Sequence, residues 1–100
     1  MKIQFERSGG LMGLHTTATF DTDSLAPAEG QRLRELIAAA VFFDLPAQLS
    51  NPDATLPDQF HYKVTIMDEE RTHTIETTDS DAPAALQPLL RHLTLLARRS

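Results

Sequence analysis

The chain has 100 residues, of which 41% are hydrophobic and 23% are charged, and its formal net charge is −5. This length allows one domain with a modest buried core, which we place at residues 1–100. Acidic side chains outnumber basic ones and no basic face is visible, which argues against nucleic-acid and membrane binding. Cysteine is absent, so disulfides, thiolate nucleophiles and cysteine metal sites are excluded.

Targeting signals are missing from the sequence as given. Residues 1–7 contain no apolar run of signal-peptide length, and no segment is apolar enough over a sufficient length to span a bilayer. We therefore expect a cytoplasmic protein.

The first third of the chain has the pattern of a β-hairpin. Residues 2–7 alternate, with Ile3 and Phe5 on one face, which predicts a half-buried strand. Residues 8–13 contain three glycines and predict a loop. Residues 14–20 alternate again and carry β-branched threonines, which predicts a second strand.

A helix follows, predicted at roughly 27–43, with Pro27 in its first turn and Pro46 beyond its end. Its inner stripe has the spacing of one helical face: Leu33, Leu36, Ile37, Ala40 and Val41. Residues 46–58 contain three prolines and predict a surface loop.

The second half repeats this order. Residues 59–67 alternate cleanly and predict a third strand, and residues 72–78 predict a fourth after a polar turn at 68–71. Pairing Met67 with Thr72 sets the expected register of this hairpin.

The last predicted element is a helix that starts at about residue 87, after a short turn at 82–86, because Pro88 would cost about 3 kcal/mol in a helix interior. Asp79, Ser80 and Asp81 are residue types that favour a helix N-cap. The pattern therefore predicts an α+β fold of order ββαββα. Its four-stranded antiparallel sheet carries both helices on one face, and the order of the strands stays open.

The histidines do not predict a metal site. In the expected register His61 and His73 point to opposite faces of the sheet, and His15 and His92 show no helical metal spacing. The carboxylates lie dispersed or in turns, where capping, turn chemistry and solubility account for them. No nucleophile sits in a G-x-S-x-G elbow, and residues 8–13 lack phosphate-loop spacing. We therefore expect a protein without enzymatic activity, cofactor or bound metal.

Two apolar features remain. Leu11 and Met12 lie between glycines in the first loop, where they either tuck under the sheet or are held out for a partner's pocket. Leu95 points away from the inner stripe of the last helix, which leaves either a monomer or a weak homodimer.

The order of motifs resembles the emfourin family, small bacterial proteins named for the inhibitor of protealysin, a thermolysin-like zinc metallopeptidase. The resemblance covers nearly the whole chain. Besides the proline-containing lead into a leucine-rich terminal helix, its blocks are IQFERSGGLMGL (3–14), DTDSL (21–25), FFDLP (42–46) and PDQFHYKVTI (57–66).

The resemblance implies a protein inhibitor that occupies the active-site cleft of a thermolysin-like metallopeptidase, whose zinc belongs to the enzyme. Such peptidases have a hydrophobic pocket beside the zinc, which an apolar side chain on a glycine-hinged loop could fill. Our own inference assigns the contact first to Ser8, Gly9, Gly10, Leu11, Met12, Gly13 and Leu14, and then to the loop around Asn51 and Leu56. The turn at 68–71 is a rival.

Two alternatives to inhibition stay open at this stage. The same exposed loop, together with Leu95, would suit an adaptor module with a different partner. A small hydrolase would require at least two histidines or carboxylates to converge in one cleft.

Overall fold

The computed structural model describes residues 1–9, 13–49 and 59–99 and confirms the predicted α+β fold. Four antiparallel strands form one sheet, and the elements follow the order ββαββα. Their bounds are β1 Lys2–Gly9, β2 Leu14–Asp21, α1 Pro27–Ala39, a 3-10 helix Phe42–Asp44, β3 Phe60–Met67, β4 Thr72–Thr78 and α2 Gln87–Arg99.

The strand order is β2-β1-β3-β4, so β1 and β3 occupy the centre of the sheet. β1 pairs antiparallel with β2 on one side and with β3 on the other. The two predicted hairpins are therefore joined through their first strands. This pairing is long-range, which is why local sequence patterns left the order open.

The register predicted for the second hairpin is confirmed. Met67 pairs with Thr72, and the following pairs bring Val64 opposite Ile75. Because successive side chains alternate between faces, this register directs the apolar residues of both strands towards the helices.

The core lies between one face of the sheet and the two helices. Ile3 and Phe5 of β1 are buried there, whereas Lys2, Gln4 and Glu6 on the opposite face are exposed. Burial of large apolar side chains supplies the main stabilisation, at about 25 cal/mol per Å². The fully buried members include Ile3, Phe5, Leu33, Phe42, Val64, Ile66, Ile75, Leu86, Leu89 and Leu93.

Helix α1 begins at Pro27 as predicted, but the predicted end near residue 43 is wrong. The helix stops at Ala39, because Val41 adopts a left-handed conformation with φ 51° and ψ 47°. The N–H of Val41 donates to the Ala38 carbonyl oxygen at 3.1 Å, and the chain turns into the 3-10 helix. Val41 was also expected on the inner stripe, yet 53% of its surface is exposed.

Helix α2 begins at Gln87, which confirms the predicted start, and Pro88 falls in its first turn. The preceding turn is closed by the Pro83 carbonyl oxygen, which accepts from the N–H groups of Leu86 at 2.9 Å and Gln87 at 3.2 Å. No helix in the described ranges combines the length and apolarity that crossing a membrane requires.

The two edges of the sheet differ. Along the outer side of β4, Gln48 forms an isolated parallel bridge with Glu76. The Glu76 carbonyl accepts from the Leu49 N–H at 2.8 Å, and the Glu76 N–H donates to the Ala47 carbonyl at 2.8 Å. The predicted loop thus covers this edge where it is described, up to Leu49.

We expect Val41→Gly to raise the free energy of unfolding by about 1 kcal/mol, because glycine adopts the left-handed conformation without the steric cost that a β-branched residue carries. The lost side chain is half exposed, so little burial is given up. Urea unfolding followed by circular dichroism measures the change.

The matched control is Ala40→Gly, one residue earlier, where the backbone is right-handed and the side chain is buried. That variant should lose about 1 kcal/mol. A Val41→Gly protein less stable than the wild type would contradict the strain at this position.

Candidate functional site

Four of the residues assigned to partner binding lie together at one end of the sheet. Ser8 and Gly9 end β1, and Gly13 and Leu14 begin the return into β2. The other assigned residues fall outside the described ranges: Gly10, Leu11, Met12, Asn51 and Leu56.

Both predicted loops attach at this same end. Gly9 pairs with Leu14 across β2 and with Phe60 across β3. Gly9, the last described residue before the first loop, therefore lies beside Gln59, the first described residue after the second loop. We call this region the loop end, defined by Gly9, Gly13, Leu14, Gln59 and Phe60.

Gly9 holds the two loop attachments together. Its φ is +105°, a conformation that L side chains rarely adopt, and a Cβ placed there would lie 2.6 Å from the Gln59 carbonyl oxygen. The backbones thus approach more closely than any side chain would permit. Gly13 also has a positive φ, +62°, but its missing Cβ faces open space.

Gln59 is buried where the second loop returns to the sheet. Its Nε2 donates to the Thr78 hydroxyl at 3.3 Å and also to the Ser80 hydroxyl. A buried amide is costly unless its polar atoms are bonded, so these contacts tie the start of β3 to the end of β4.

Arg7 lies on the core-facing side of β1, two residues after Phe5. Its guanidinium carbon is 3.6 Å from the centroid of the Phe60 ring, and its Nε donates to the Tyr62 hydroxyl at 3.4 Å. Stacking a cation on an aromatic face is favourable by about 0.5–1 kcal/mol at exposed sites and more when desolvated. The arginine therefore holds the first residues of β3 in place next to the loop end.

Asp79 also contacts the start of β3, and we call the side chains of Arg7, Tyr62 and Asp79 the brace. Its Oδ2 accepts from the Phe60 N–H at 3.2 Å, and its Oδ1 accepts from the Tyr62 hydroxyl at 2.8 Å. The interpretation of Asp79 as a helix cap is wrong, since α2 begins only at Gln87 and the carboxylate binds β3 instead.

The surroundings of the Tyr62 phenol change its pKa. Burial raises the pKa of Tyr62 above its ordinary value, the hydrogen bond from Arg7 lowers it, and the hydrogen bond and charge of Asp79 raise it. A small cleft of about 180 Å³ opens beside it towards α2, lined by Tyr62, Asp79, Ala82, Gln87, Leu90 and Arg91.

The polar side chains described near the loop end contact one another. Among them, no group of three histidine, aspartate or glutamate side chains lies close enough to hold a metal ion. The brace has one carboxylate, one phenol and one guanidinium, all engaged with one another or with backbone. What this arrangement can do is fix the shape of a surface.

The histidines are dispersed, as the register predicted. His61 is exposed on the open face of the sheet, while His73 points to the helix side, where its Nε2 lies 2.6 Å from the Leu45 carbonyl oxygen. His92 of α2 lies 2.8 Å from the Glu29 carboxylate of α1.

The acidic turn at 68–71, the rival contact region, lies at the opposite end of the sheet, because Met67 pairs with Lys2 at the start of β1. An eight-residue strand separates it from the loop end, which is roughly 25 Å. Arg71 is engaged there with Asp68 at 3.8 Å and with the Phe43 ring at 4.0 Å.

Sequence reasoning missed Arg7, Tyr62 and Asp79 as supports of the loop end. One signal was present, because the alternation Ile3, Phe5, Arg7 puts a charged residue on the core-facing side of a strand. Such a charge needs a partner nearby. The identity of that partner could not be found without the β1–β3 pairing.

We expect Gly9→Ala to destabilise the fold by about 3 kcal/mol, since it combines backbone strain with a backbone clash. Gly13→Ala is the matched control: it also has positive φ but has open space, and should lose only about 1 kcal/mol. Chemical denaturation measures both. Equal losses would contradict the close approach to Gln59.

We expect Asp79→Asn to lower the pKa of Tyr62 and Arg7→Gln to raise it further, because the first removes a negative charge and the second a cation. The chain has one tyrosine and no tryptophan, so titration of phenolate absorbance reads this group directly.

Because the pKa of Tyr62 is raised in the folded protein, the protonated phenol contributes to the free energy of unfolding. This contribution is fully present below the ordinary pKa of tyrosine and is lost as pH rises through the pKa of Tyr62 in the folded protein. Unchanged pKa values in both variants would contradict the brace.

Comparison with known proteins identifies the family of the chain. No curated protein and no solved structure shows significant similarity to the chain. The Emfourin family model matches residues 5–94, from the middle of β1 into α2, and so covers the loop end and its brace. The resemblance inferred from the sequence motifs is thereby confirmed, and the chain belongs to the emfourin family.

Proposed function

We propose that this protein inhibits a thermolysin-like zinc metallopeptidase by inserting the loops of the loop end into the active-site cleft. Family membership supports the class of activity. The observation that carries the choice of surface is that Gly9, where the first loop begins, pairs with Leu14, where that loop ends, and with Phe60, which follows the second loop.

A rigid base favours this mode of inhibition. Ordering a free loop on binding costs conformational entropy, and a loop held at both ends by a sheet gives up less of it. Here the base is the centre of the sheet, with Gln59, Arg7 and Asp79 holding the neighbouring strands in place. Functional loops on rigid scaffolds are common for this reason.

The loop sequence suits an apolar pocket. Leu11 and Met12 stand between Gly10 and Gly13, so the residues with the largest apolar side chains of this loop are adjacent. In the proposed complex one of them fills the hydrophobic pocket beside the peptidase zinc. Asn51 and Leu56 contribute from the neighbouring loop, and the metal belongs to the enzyme.

Replacing both Leu11 and Met12 by aspartate should raise the inhibition constant at least thirtyfold, the loss expected when an interface anchor worth about 2 kcal/mol is removed. The assay is hydrolysis of a peptide substrate by a purified thermolysin-like peptidase from the same organism, titrated with inhibitor. Circular dichroism and urea unfolding confirm that the variant is folded.

Leu95→Asp is the matched control, since Leu95 is the exposed leucine on α2 and lies away from the sheet. It should leave inhibition unchanged. Full inhibition by the Leu11→Asp, Met12→Asp protein would reject the loop assignment, whereas no inhibition by the wild type at large excess would reject the function.

A non-enzymatic adaptor is the second candidate, and the exposed, left-handed Val41 favours it. Val41 borders a cleft of about 270 Å³ that also involves Ile37, Phe43 and Arg71, far from the loop end. Strained, exposed apolar residues often occur at sites of contact. An unaffected peptidase, together with capture of a different protein that Val41→Asp abolishes, would favour this function.

A further inference from the structure

Among the described residues, no strand lies beside the outer edge of β2. Whereas residues 47–49 cover the edge of β4, the described residues offer β2 only one partner, β1. β2 is eight residues long, with the sequence LHTTATFD. It contains neither proline nor lysine, the residues with which proteins commonly protect a free edge.

The hydrogen bonding of β1 shows which β2 groups point outward. The Thr22 N–H donates to the Met1 carbonyl oxygen at 3.0 Å, next to the pair formed by Lys2 and Asp21. In an antiparallel ladder, bonded and non-bonded pairs alternate. The residues of β2 whose backbone N–H and C=O groups face away from β1 are therefore His15, Thr17, Thr19 and Asp21.

We propose that two copies of this chain pair antiparallel through their β2 edges, with the two-fold axis at Ala18. The outward residues of the two copies then lie opposite one another. His15 of one copy lies opposite Asp21 of the other, and Thr17 lies opposite Thr19. The result is a continuous eight-stranded sheet with all helices on the same side.

Side-chain chemistry selects this register. His15 and Asp21 share the open face of the sheet, so each end of the new ladder brings an imidazole opposite a carboxylate, to which a ring N–H can donate in either protonation state. A shift of two residues would remove these pairs, and a shift of one would put opposing side chains on different faces. Ala18, at the axis, is small enough for close approach.

The local contacts of Asp21 are compatible with this pairing. Its Oδ1 accepts from the Asp23 N–H at 3.0 Å, which leaves the second carboxylate oxygen to accept from His15 of the other copy. Its carbonyl oxygen accepts from the Ser24 N–H at 2.9 Å within the turn, so the end pair relies mainly on the outward Asp21 N–H.

Sedimentation equilibrium of the purified chain tests the proposal. The weight-average mass should rise from 11.1 kDa towards twice that value as concentration increases from about 10 μM to about 1 mM, the range expected for a weak interface. Thr17→Pro removes an outward N–H without touching the β1 ladder and should keep the chain monomeric.

His15→Asp tests the side-chain pairs without altering the backbone. It places like charges opposite each other at two symmetric positions and should weaken the dimer about tenfold or more. His15→Lys keeps the complementary charge and should retain the dimer. His61→Asp, on the same face but on the inner strand β3, is the matched control and should leave the dimer unchanged.

The outcome separates edge pairing from other contacts. A monomer at every concentration would overturn the proposal, as would a dimer that persists in both Thr17→Pro and His15→Asp. A dimer that Leu95→Ser abolishes would assign association to α2 instead. No peptidase takes part in these measurements, so the result is independent of the proposed inhibition.

Discussion

The pairing of β1 with strands on both sides is the interaction on which the remaining structure depends. It joins the two hairpins into one sheet, directs Ile3 and Phe5 into the core, and brings Gly9 against Gln59. Because side chains alternate along a strand, a shift of one residue would expose the core residues and separate the two loop attachments at once. Stability and the geometry of the loop end therefore depend on the same register.

The loop end is held by polar contacts placed around an apolar core. Arg7 would be costly on a core-facing position without partners, but its guanidinium stacks on the Phe60 ring and bonds to the Tyr62 hydroxyl. Asp79 binds the same strand from outside. These side chains are engaged with one another, so they hold the shape of the surface at the loop end.

Gly9 and Val41 both have a positive φ, but the consequences for the structure differ. At Gly9 the chain uses glycine, and the result is a close approach of two backbones that no other residue permits. At Val41 a β-branched residue ends helix α1 in the same region of φ and half of its side chain is exposed. The first position serves packing at the loop end, whereas the second costs stability and exposes an apolar group.

The sequence by itself determined the existence and type of the four strands and the two α-helices, the register of β3 with β4, and the start of α2 before Pro88, because burial periodicity and proline sterics act locally. It also carried the family resemblance. Only the tertiary structure decided the strand order and the role of Asp79, since both depend on partners distant in sequence. It also decided the early end of α1, where the chain turns at Val41 and Phe42 is buried in the core. Local periodicity indicates which face of a strand is buried. Which strands become neighbours depends on how all strands and helices pack together around one core.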